Sequence, residues 1–160
     1  MTHAFVERYG RWALVAGASE GLGAAYARAL AGRGLNLLLV ARRGPPLDAL
    51  ASELRSNYGV DTLVREGDLA SPDFLEDLRA RCSQLDLGVL ICNAAQAPIG
   101  DFVSRDMGDL VRVIDVNVRA PLVLLRLLLP QMRAQGRGAA ILMTSFTGHL
   151  GTPRIGAYAA

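Results

Sequence analysis

Short apolar runs alternate with amphipathic stretches along the chain from Trp12 onward. Short apolar runs bounded by turn residues are typical of buried strands, whereas apolar residues recurring every three or four positions indicate helices. The run LGVLIC is continuously apolar, as expected for a strand that is covered by helices on both faces. The pattern predicts strands over Ala13–Ala16, Asn36–Ala41, Thr62–Glu66, Leu87–Cys92 and Ala139–Thr144.

Helical patterns fill the segments between these strands. Ser71 followed by Pro72 is a typical helix start, and Gly34, Gly59 and Gly136 stand where helices should end. The predicted helices are Gly21–Arg33, Leu47–Tyr58, Pro72–Gln84 and Met107–Gln135. Strands that alternate with helices imply right-handed crossovers and a parallel sheet. We therefore predict an α/β fold, a doubly wound parallel sheet with helices on both faces and strand order 3-2-1-4-5, in a single domain over residues 1–160.

The longest predicted helix has a stripe of apolar residues at helical spacing. Core packing is the default interpretation of such a stripe. We therefore expect these residues to face the sheet: Leu110, Val111, Ile114, Val118, Leu122, Leu125 and Leu129.

The segment WALVAGASEGLG joins the first strand to the first helix of this pattern. It places Gly17, Gly21 and Gly23 in a G-x-x-x-G-x-G spacing. The first glycine allows a sharp turn off the strand, the second a close approach to a pyrophosphate, and the third close packing of helix on sheet. The following helix N-terminus offers free N–H groups to phosphates. The setting of strand, glycine loop, helix and strand predicts a dinucleotide-binding unit.

The composition of the chain excludes several classes of partner and binding site. The net charge of +2 is small and the arginines are dispersed, so no nucleic-acid partner is expected. The sequence contains no lysine, which excludes a Walker A loop. Cys82 and Cys92 fit no metal-binding spacing and are interpreted as small apolar fillers. The apolar stretch Pro121–Leu129 is too short to span a bilayer and no signal peptide is evident, so we expect a cytoplasmic protein that does not enter membranes.

Further features follow the glycine loop in a fixed order. Arg42 and Arg43 close the second strand, Asp68-Leu69 follows the third, and Cys92-Asn93-Ala94-Ala95 closes the fourth. Asn117 lies in the long helix, and Ser145 precedes Tyr158 by thirteen positions. In this order the motifs resemble those of the classical short-chain dehydrogenase/reductase family, from Trp12 to the end of the sequence. The resemblance implies a Rossmann-like fold and an NAD(P)-dependent oxidoreductase that acts on a small carbonyl or alcohol substrate, and it leaves a homo-oligomer open.

The resemblance also implies a role for each matching residue. Gly17, Gly21 and Gly23 would hold the pyrophosphate, with Ser19 and Leu22 beside the phosphates and ribose. Asp68 would accept a hydrogen bond from the adenine with the Leu69 backbone beside it, and Asn93 and Ala94 would line the adenosine ribose. Ser145 would hold the substrate carbonyl, Tyr158 would exchange the proton, and Asn117 would hold a water in the proton relay.

The end of the second strand bears on the choice of cofactor. Relatives that prefer NAD have an acidic residue there for the ribose hydroxyls, whereas this chain has Ala41 followed by Arg42. A guanidinium can pair with a 2′-phosphate in two parallel hydrogen bonds, so the sequence favours NADP(H) over NAD(H). Glu20 weakens this preference, because relatives that prefer NADP often have a basic residue in the glycine loop. Arg42 and Arg43 could instead be ordinary solvated loop residues.

Each remaining candidate has a structural alternative. Ser19 could cap the following helix, Asp68 could be a turn residue, and Asn117 could be a buried amide with satisfied hydrogen bonds. Ser145 and Tyr158 are informative only through their mutual spacing. His149 has no neighbour in sequence placed to orient it, and we interpret it as a loop residue near the substrate entrance.

In the family motif Y-x-x-x-K, the lysine falls beyond residue 160. Family members continue with more helix and sheet, so we expect a sheet truncated after its fifth strand, in a fragment of a longer product whose last strand has one uncovered face. A catalytically inactive NADP(H)-binding module is the alternative function. A Rossmann-like methyltransferase would need an acid near Ala41 and would leave Ser145 and Tyr158 unexplained.

Overall fold

A computed structural model describes residues 2–151 and 153–159. Its five strands form one parallel sheet in the order β3-β2-β1-β4-β5. The strands are β1 (Trp12–Ala16), β2 (Asn36–Ala41), β3 (Thr62–Glu66), β4 (Leu87–Cys92) and β5 (Ala139–Leu142). The predicted α/β class and strand order are confirmed. The fifth strand is two residues shorter than predicted, and the others match to within one residue.

Helices follow the first four strands where the pattern predicted them, with adjusted ends, and two further helices lie outside the predicted segments. They are α1 (Thr2–Tyr9), α2 (Gly21–Ala31), α3 (Gly44–Tyr58), α4 (Pro72–Cys82), α5 (Met107–Ile114), α6 (Ala120–Gln135) and α7 (Gly156–Ala159). The Ser71 hydroxyl caps α4 by accepting from the Phe74 N–H. Gly59 and Gly136 end α3 and α6 in the left-handed conformation, whereas α2 ends three residues before Gly34.

The two faces of the sheet are covered by different helices. Alternate residues of each inner strand point to opposite faces, so Leu37 and Leu39 pack with α2 and α3 while Leu38 and Val40 pack on the other side. That second face is covered by α4 and α6. The inner strands β1, β2 and β4 are thereby buried on both sides, as the apolar run in β4 predicted.

The long predicted helix is divided by a π-helical turn, Asp115–Arg119, between α5 and α6. Its apolar stripe was assigned to the wrong face. The buried residues are Val113, Val116, Ala120, Leu124, Leu128 and Met132. Most of the predicted stripe lies on the solvent side: Val111, Ile114, Val118, Leu122 and Leu129 are about half exposed or more.

The N-terminal helix α1 was not predicted. It rests on the α2/α3 side through Phe5, Val6 and Tyr9. Arg137 ties α1 to the sheet, donating to the Glu7 carbonyl at 3.1 Å and to both oxygens of Asp86 at 2.9 Å. This contact lies at the amino-terminal ends of the strands, away from the site described below.

Strand β5 forms an exposed edge. Ile141 and Leu142 are 38% and 49% exposed, which agrees with the uncovered face expected from the sequence. No helix within residues 2–151 and 153–159 has the length and apolar content needed to cross a membrane.

Candidate functional site

The loop after β1 is folded by close backbone approaches. Gly17 has a φ of +88°, and a Cβ there would lie 2.5 Å from the Ala94 nitrogen. A Cβ on Gly23 would overlap the Gly17 carbonyl oxygen. The Asn93 side-chain amide donates to that same carbonyl at 3.0 Å. The loop therefore requires glycine at both positions, and Asn93 fastens it to the end of β4.

The loop borders a cavity of about 630 Å³ at the carboxyl ends of β1, β2 and β4. This is where the strand order reverses, because β1 has β2 on one side and β4 on the other. Ligands of doubly wound sheets bind in the crevice at such a point. The cavity is lined by Gly17, Ser19, Glu20, Ala41, Arg42, Arg43, Gly67, Asp68, Leu69, Asn93, Ala94, Ala95 and Val116.

Seven of the residues predicted for cofactor binding line this cavity: Gly17, Ser19, Arg42, Asp68, Leu69, Asn93 and Ala94. Gly21, Leu22 and Gly23 lie outside its lining, in the first turn of α2. Leu22 is 60% exposed there. Ser19 does not cap α2, since the N-cap residue is Glu20 and its side chain makes no capping hydrogen bond. The alternative interpretation of Ser19 is therefore wrong.

The arginines after β2 differ in their partners. Arg43 forms an ion pair with Glu20, at 2.7 Å between Nη2 and Oε1. Within the described residues, the Arg42 guanidinium takes part in no hydrogen bond or ion pair. One cation is thus neutralised and the other is available at the cavity wall. The Glu20 partner of Arg43 could not be found from sequence spacing.

Asp68 is held in place by its surroundings. Its Oδ1 accepts from the Ala70 N–H at 3.0 Å, and its Oδ2 pairs with Arg112 of α5 at 2.7 Å. Partial burial raises the pKa of Asp68, but this hydrogen bond and the guanidinium groups of Arg112 and Arg42 outweigh it, so the pKa lies below its usual value. Asp68 is therefore a turn residue, as one of the two interpretations supposed, and it is also a carboxylate that lines the cavity.

Asn117 lies in the π-helical turn and binds the loop after β4. Its Oδ1 accepts from the Gln96 N–H at 2.8 Å and its Nδ2 donates to the Gln96 carbonyl at 2.9 Å. The amide is therefore satisfied by one backbone partner, as the structural alternative supposed, but the residue is partly and not fully buried. π-Helical turns occur frequently at functional sites. The Gln96 contact had no sequence signal, since a loop backbone can bind any side-chain amide that reaches it.

Ser145 and Tyr158 follow β5 in neighbouring elements. The Ser145 hydroxyl lies 2.7 Å from the Thr147 hydroxyl and caps the 3₁₀ turn Phe146–Gly148. The helix α7 packs on that turn, and Tyr158 and Asn117 border one apolar cavity of about 740 Å³. No hydrogen bond joins Ser145, Asn117 and Tyr158 to one another in the described part of the chain.

The structure also shows the surroundings of the two cysteines and of His149. Cys82 and Cys92 are buried, and burial raises their thiol pKa values to about 12 and about 11. They are apolar fillers, as predicted. His149 is an exposed residue after the 3₁₀ turn with its ring centroid 6.0 Å from that of Phe146.

A doubly wound parallel sheet with a glycine loop and a polar cavity at the reversal of its strand order defines a Rossmann-like α/β protein. The sequence model of the short chain dehydrogenase family matches residues 11–160. The chain belongs to that family, and the predicted family membership is confirmed.

Similarity to individual proteins extends over nearly the whole chain. A 7beta-hydroxysteroid dehydrogenase of Collinsella aerofaciens is 35% identical over 154 residues, 96% of this chain and 59% of the relative. The human inactive hydroxysteroid dehydrogenase-like protein 1 is 32% identical over 158 residues, 97% of this chain and 48% of the relative.

A solved structure of a short-chain dehydrogenase from Sphingobium yanoikuyae in complex with NADPH superposes with a TM-score of 0.87 at 35% identity. That match covers 92% of this chain and 58% of the other. The chain thus spans about half to three fifths of the length of these relatives.

Proposed function

We propose that this protein is an oxidoreductase that binds NADP(H) in the cavity at the sheet reversal and acts on a carbonyl or secondary-alcohol substrate. Family membership supports the reaction class, and the NADPH in the Sphingobium neighbour supports the cofactor. The observation that carries the cofactor choice is Arg42 at the cavity wall, which has no ion-pair partner among the described residues and stands beside Ala41 rather than an acidic residue.

The residues of the cavity fit a dinucleotide. Gly17 and Gly23 allow the loop to fold tightly against the end of β4 and against its own backbone. The backbone N–H groups at the start of α2 would then be offered to a pyrophosphate. Asp68 is a carboxylate at neutral pH and can accept from an adenine amino group. Leu69, Asn93 and Ala94 line the same cavity and would face the adenosine.

Three of the residues predicted to bind the cofactor lie at the junction of the glycine loop and α2. Gly21 has a φ of +56° with open space around it, so its backbone is accessible from solvent. Ser19 presents a hydroxyl at the cavity wall, and Leu22 presents an exposed apolar side chain in the first turn of α2. We propose that these three residues contact the phosphates and the adjacent ribose.

The bound cofactor would supply or accept the hydride, and side chains of the protein would donate or accept the proton. Ser145 would donate a hydrogen bond to the substrate oxygen after exchanging its Thr147 partner, and Tyr158 would donate the proton to that oxygen in the reductive direction. Asn117, fixed by Gln96, would position the loop after β4 and hold the relay water.

The test compares nucleotides with and without the 2′-phosphate. Arg42→Gln should weaken NADPH binding about 10- to 100-fold, because a hydrogen bond to a charged group contributes about 1.5–3 kcal/mol, and should leave NADH binding nearly unchanged. Nucleotide fluorescence or calorimetric titration measures both. Arg126→Gln is the matched control, since Arg126 is exposed on α6 outside this cavity. Equal losses for NADPH and NADH would contradict the assignment of Arg42.

A catalytically inactive NADP(H)-binding module is the second candidate. It is favoured by the human relative named as inactive. Oxidation of NADPH by a panel of ketones and aldehydes separates the two functions. Turnover that is lost in Tyr158→Phe supports the enzyme, whereas tight NADPH binding with no turnover in any assay supports the module.

A further inference from the structure

Arg112 of α5 forms an ion pair with Asp68 in the loop after β3. Its Nη2 lies 2.7 Å from the Asp68 Oδ2. Asp68 lines the cavity, whereas Arg112 lies outside its lining. Arg112 therefore holds, from outside the cavity, the carboxylate that the proposed function assigns to the amino group of adenine.

Other contacts hold the backbone of this loop. The Asp68 carbonyl accepts from the Ser71 N–H at 2.9 Å, and Arg119 donates to the Ala70 carbonyl at 2.6 Å. In the described part of the chain, the Arg112 side chain has one hydrogen-bonding or ionic partner, which is the Asp68 carboxylate. The contact of Arg112 therefore acts on the side chain of Asp68 and not on the path of the loop.

Each oxygen of the Asp68 carboxylate is held by one donor of the protein. Oδ1 accepts from the Ala70 N–H at 3.0 Å, and Oδ2 pairs with Arg112. A carboxylate oxygen can accept two hydrogen bonds, so one acceptor position on each oxygen remains for a ligand. Arg42, on the cavity wall, is a second cation whose charge acts on Asp68. Arg112 thus competes with Arg42 for this carboxylate.

We propose that Arg112 is a positioning residue for adenine recognition, because it fixes the Asp68 carboxylate with its remaining acceptor positions available to the adenine amino group. The proposal rests on the proposed function, since it assumes that adenine binds beside Asp68. Arg112 restricts the rotation of the Asp68 side chain before the nucleotide binds, so less conformational freedom is lost on binding. It also keeps the carboxylate from turning to Arg42.

Two probe nucleotides isolate the contact with the adenine amino group. They are NADPH and reduced nicotinamide hypoxanthine dinucleotide phosphate, in which a carbonyl oxygen replaces that amino group. A carboxylate is an acceptor only, so it cannot form the same hydrogen bond with this oxygen. Both probes carry the pyrophosphate and the 2′-phosphate, so the ratio of their Kd values reports on recognition of the base alone.

Arg112→Gln should lower the preference for NADPH over the hypoxanthine nucleotide about two- to tenfold, the range that corresponds to one hydrogen bond. Arg112→Lys keeps the positive charge and should retain more of the preference than Arg112→Gln. Asp68→Ala should lower the preference as well. The double variant Asp68→Ala/Arg112→Gln should match Asp68→Ala within about twofold, because Arg112 acts through Asp68 and the two losses are then not additive.

Calorimetric titration of both nucleotides into each protein tests these expectations. Arg28→Gln is the matched control, because Arg28 also pairs with a carboxylate of another element, Glu53, at 2.7 Å but lies outside the cavity. It should leave the ratio of the two Kd values unchanged.

The proposal is overturned if Arg112→Gln leaves this ratio unchanged, if it weakens both nucleotides equally, or if Arg28→Gln changes the ratio as much. A purely structural role of Arg112 would give the second of these results. If Asp68→Ala lowers the preference while Arg112→Gln and Arg112→Lys do not, this inference alone fails. If the wild type binds neither nucleotide, the proposed function fails with it.

Discussion

Single residues fix the shape of the loop that borders the cavity. Gly17 turns under the Ala94 nitrogen, Gly23 packs on the Gly17 carbonyl, and Asn93 donates to the same carbonyl. The Ala16 carbonyl accepts from the N–H groups of both Asn93 and Ala94, at 2.9 and 2.8 Å. The loop, β1 and the end of β4 are therefore one unit, so that a change at any of these glycines alters the cavity itself.

Gly23→Ala should destabilise the protein and abolish nucleotide binding. Its Cβ would overlap the Gly17 carbonyl oxygen, a backbone atom that can move only with the loop, and overpacking of this kind costs about 1–3 kcal/mol. Urea unfolding and NADPH titration measure the two effects. Gly32→Ala, at the end of the same helix, is the control, because its Cβ would meet only ordinary contacts at 3.4 Å or more. A Gly23→Ala protein that binds normally would contradict this description of the loop.

Residue types with a backbone or charge requirement were the most predictable part of the site. The glycine spacing predicted the loop, and the sequence positions of Asp68 and Asn93 predicted polar groups near the ends of β3 and β4. Partners such as Glu20 for Arg43 and Gln96 for Asn117 were not predictable, because they depend on how two loops distant in sequence are folded against each other.

At the scale of elements, the segment from α5 to α6 was the least predictable. It is apolar on more than one side: Leu124 and Leu128 face the sheet, whereas Leu122 and Leu129 lie about half exposed or more on the other side. Periodicity shows that a helix has an apolar face but cannot choose between two such faces. Gln131, which donates to the Leu85 carbonyl at 2.8 Å, marks the side that touches the rest of the protein.

Two leucine substitutions test which face is buried. Leu124→Ala should lower the free energy of unfolding by about 2–5 kcal/mol, because it leaves a cavity under the sheet, whereas Leu122→Ala should change it by about 0.5 kcal/mol or less. Chemical denaturation of both variants under one set of conditions makes the comparison. The reverse order of losses would show that the predicted stripe, and not the observed one, faces the core.

At the scale of the whole molecule, the sheet was predictable because its inner strands β1, β2 and β4 are buried on both faces. The continuous apolar run of β4 and the regular alternation of strands and helices together predict a single topology. That topology is a doubly wound sheet with right-handed crossovers. Helix α1 escaped prediction because its sequence, THAFVERY, is only eight residues long and has no cap residue pattern, and its place depends on Arg137 far along the chain.

The two cysteines can be used to monitor the packing on the second face of the sheet, which α4 and α6 cover. Cys82 lies in α4 and Cys92 at the end of β4, and burial raises their pKa values to about 12 and about 11 from an ordinary value near 9. A buried, protonated thiol reacts only after the structure opens. We therefore expect both thiols to react very slowly with an aromatic disulfide reagent at pH 8.

Urea should bring both cysteines into reaction in the same concentration range as global unfolding followed by circular dichroism. The Cys82→Ser and Cys92→Ser proteins each retain one cysteine, so the reaction measured in each is that of a known thiol. Since the folded pKa values lie above the unfolded one, the thiols favour the folded state below about pH 9 and this contribution declines at higher pH. Reaction of Cys92 well before unfolding would show that the carboxyl end of β4 opens on its own.

The exposed position of Glu20, Arg42 and Arg43 has a consequence for the history of such a protein. None of the three belongs to the two clusters of buried side chains that hold the sheet to its helices. Substitutions there change the charge at the cavity wall at little cost in stability. Under the proposed function, a lineage with this fold would therefore exchange one nicotinamide cofactor for the other by a few single-codon steps, each through a folded intermediate.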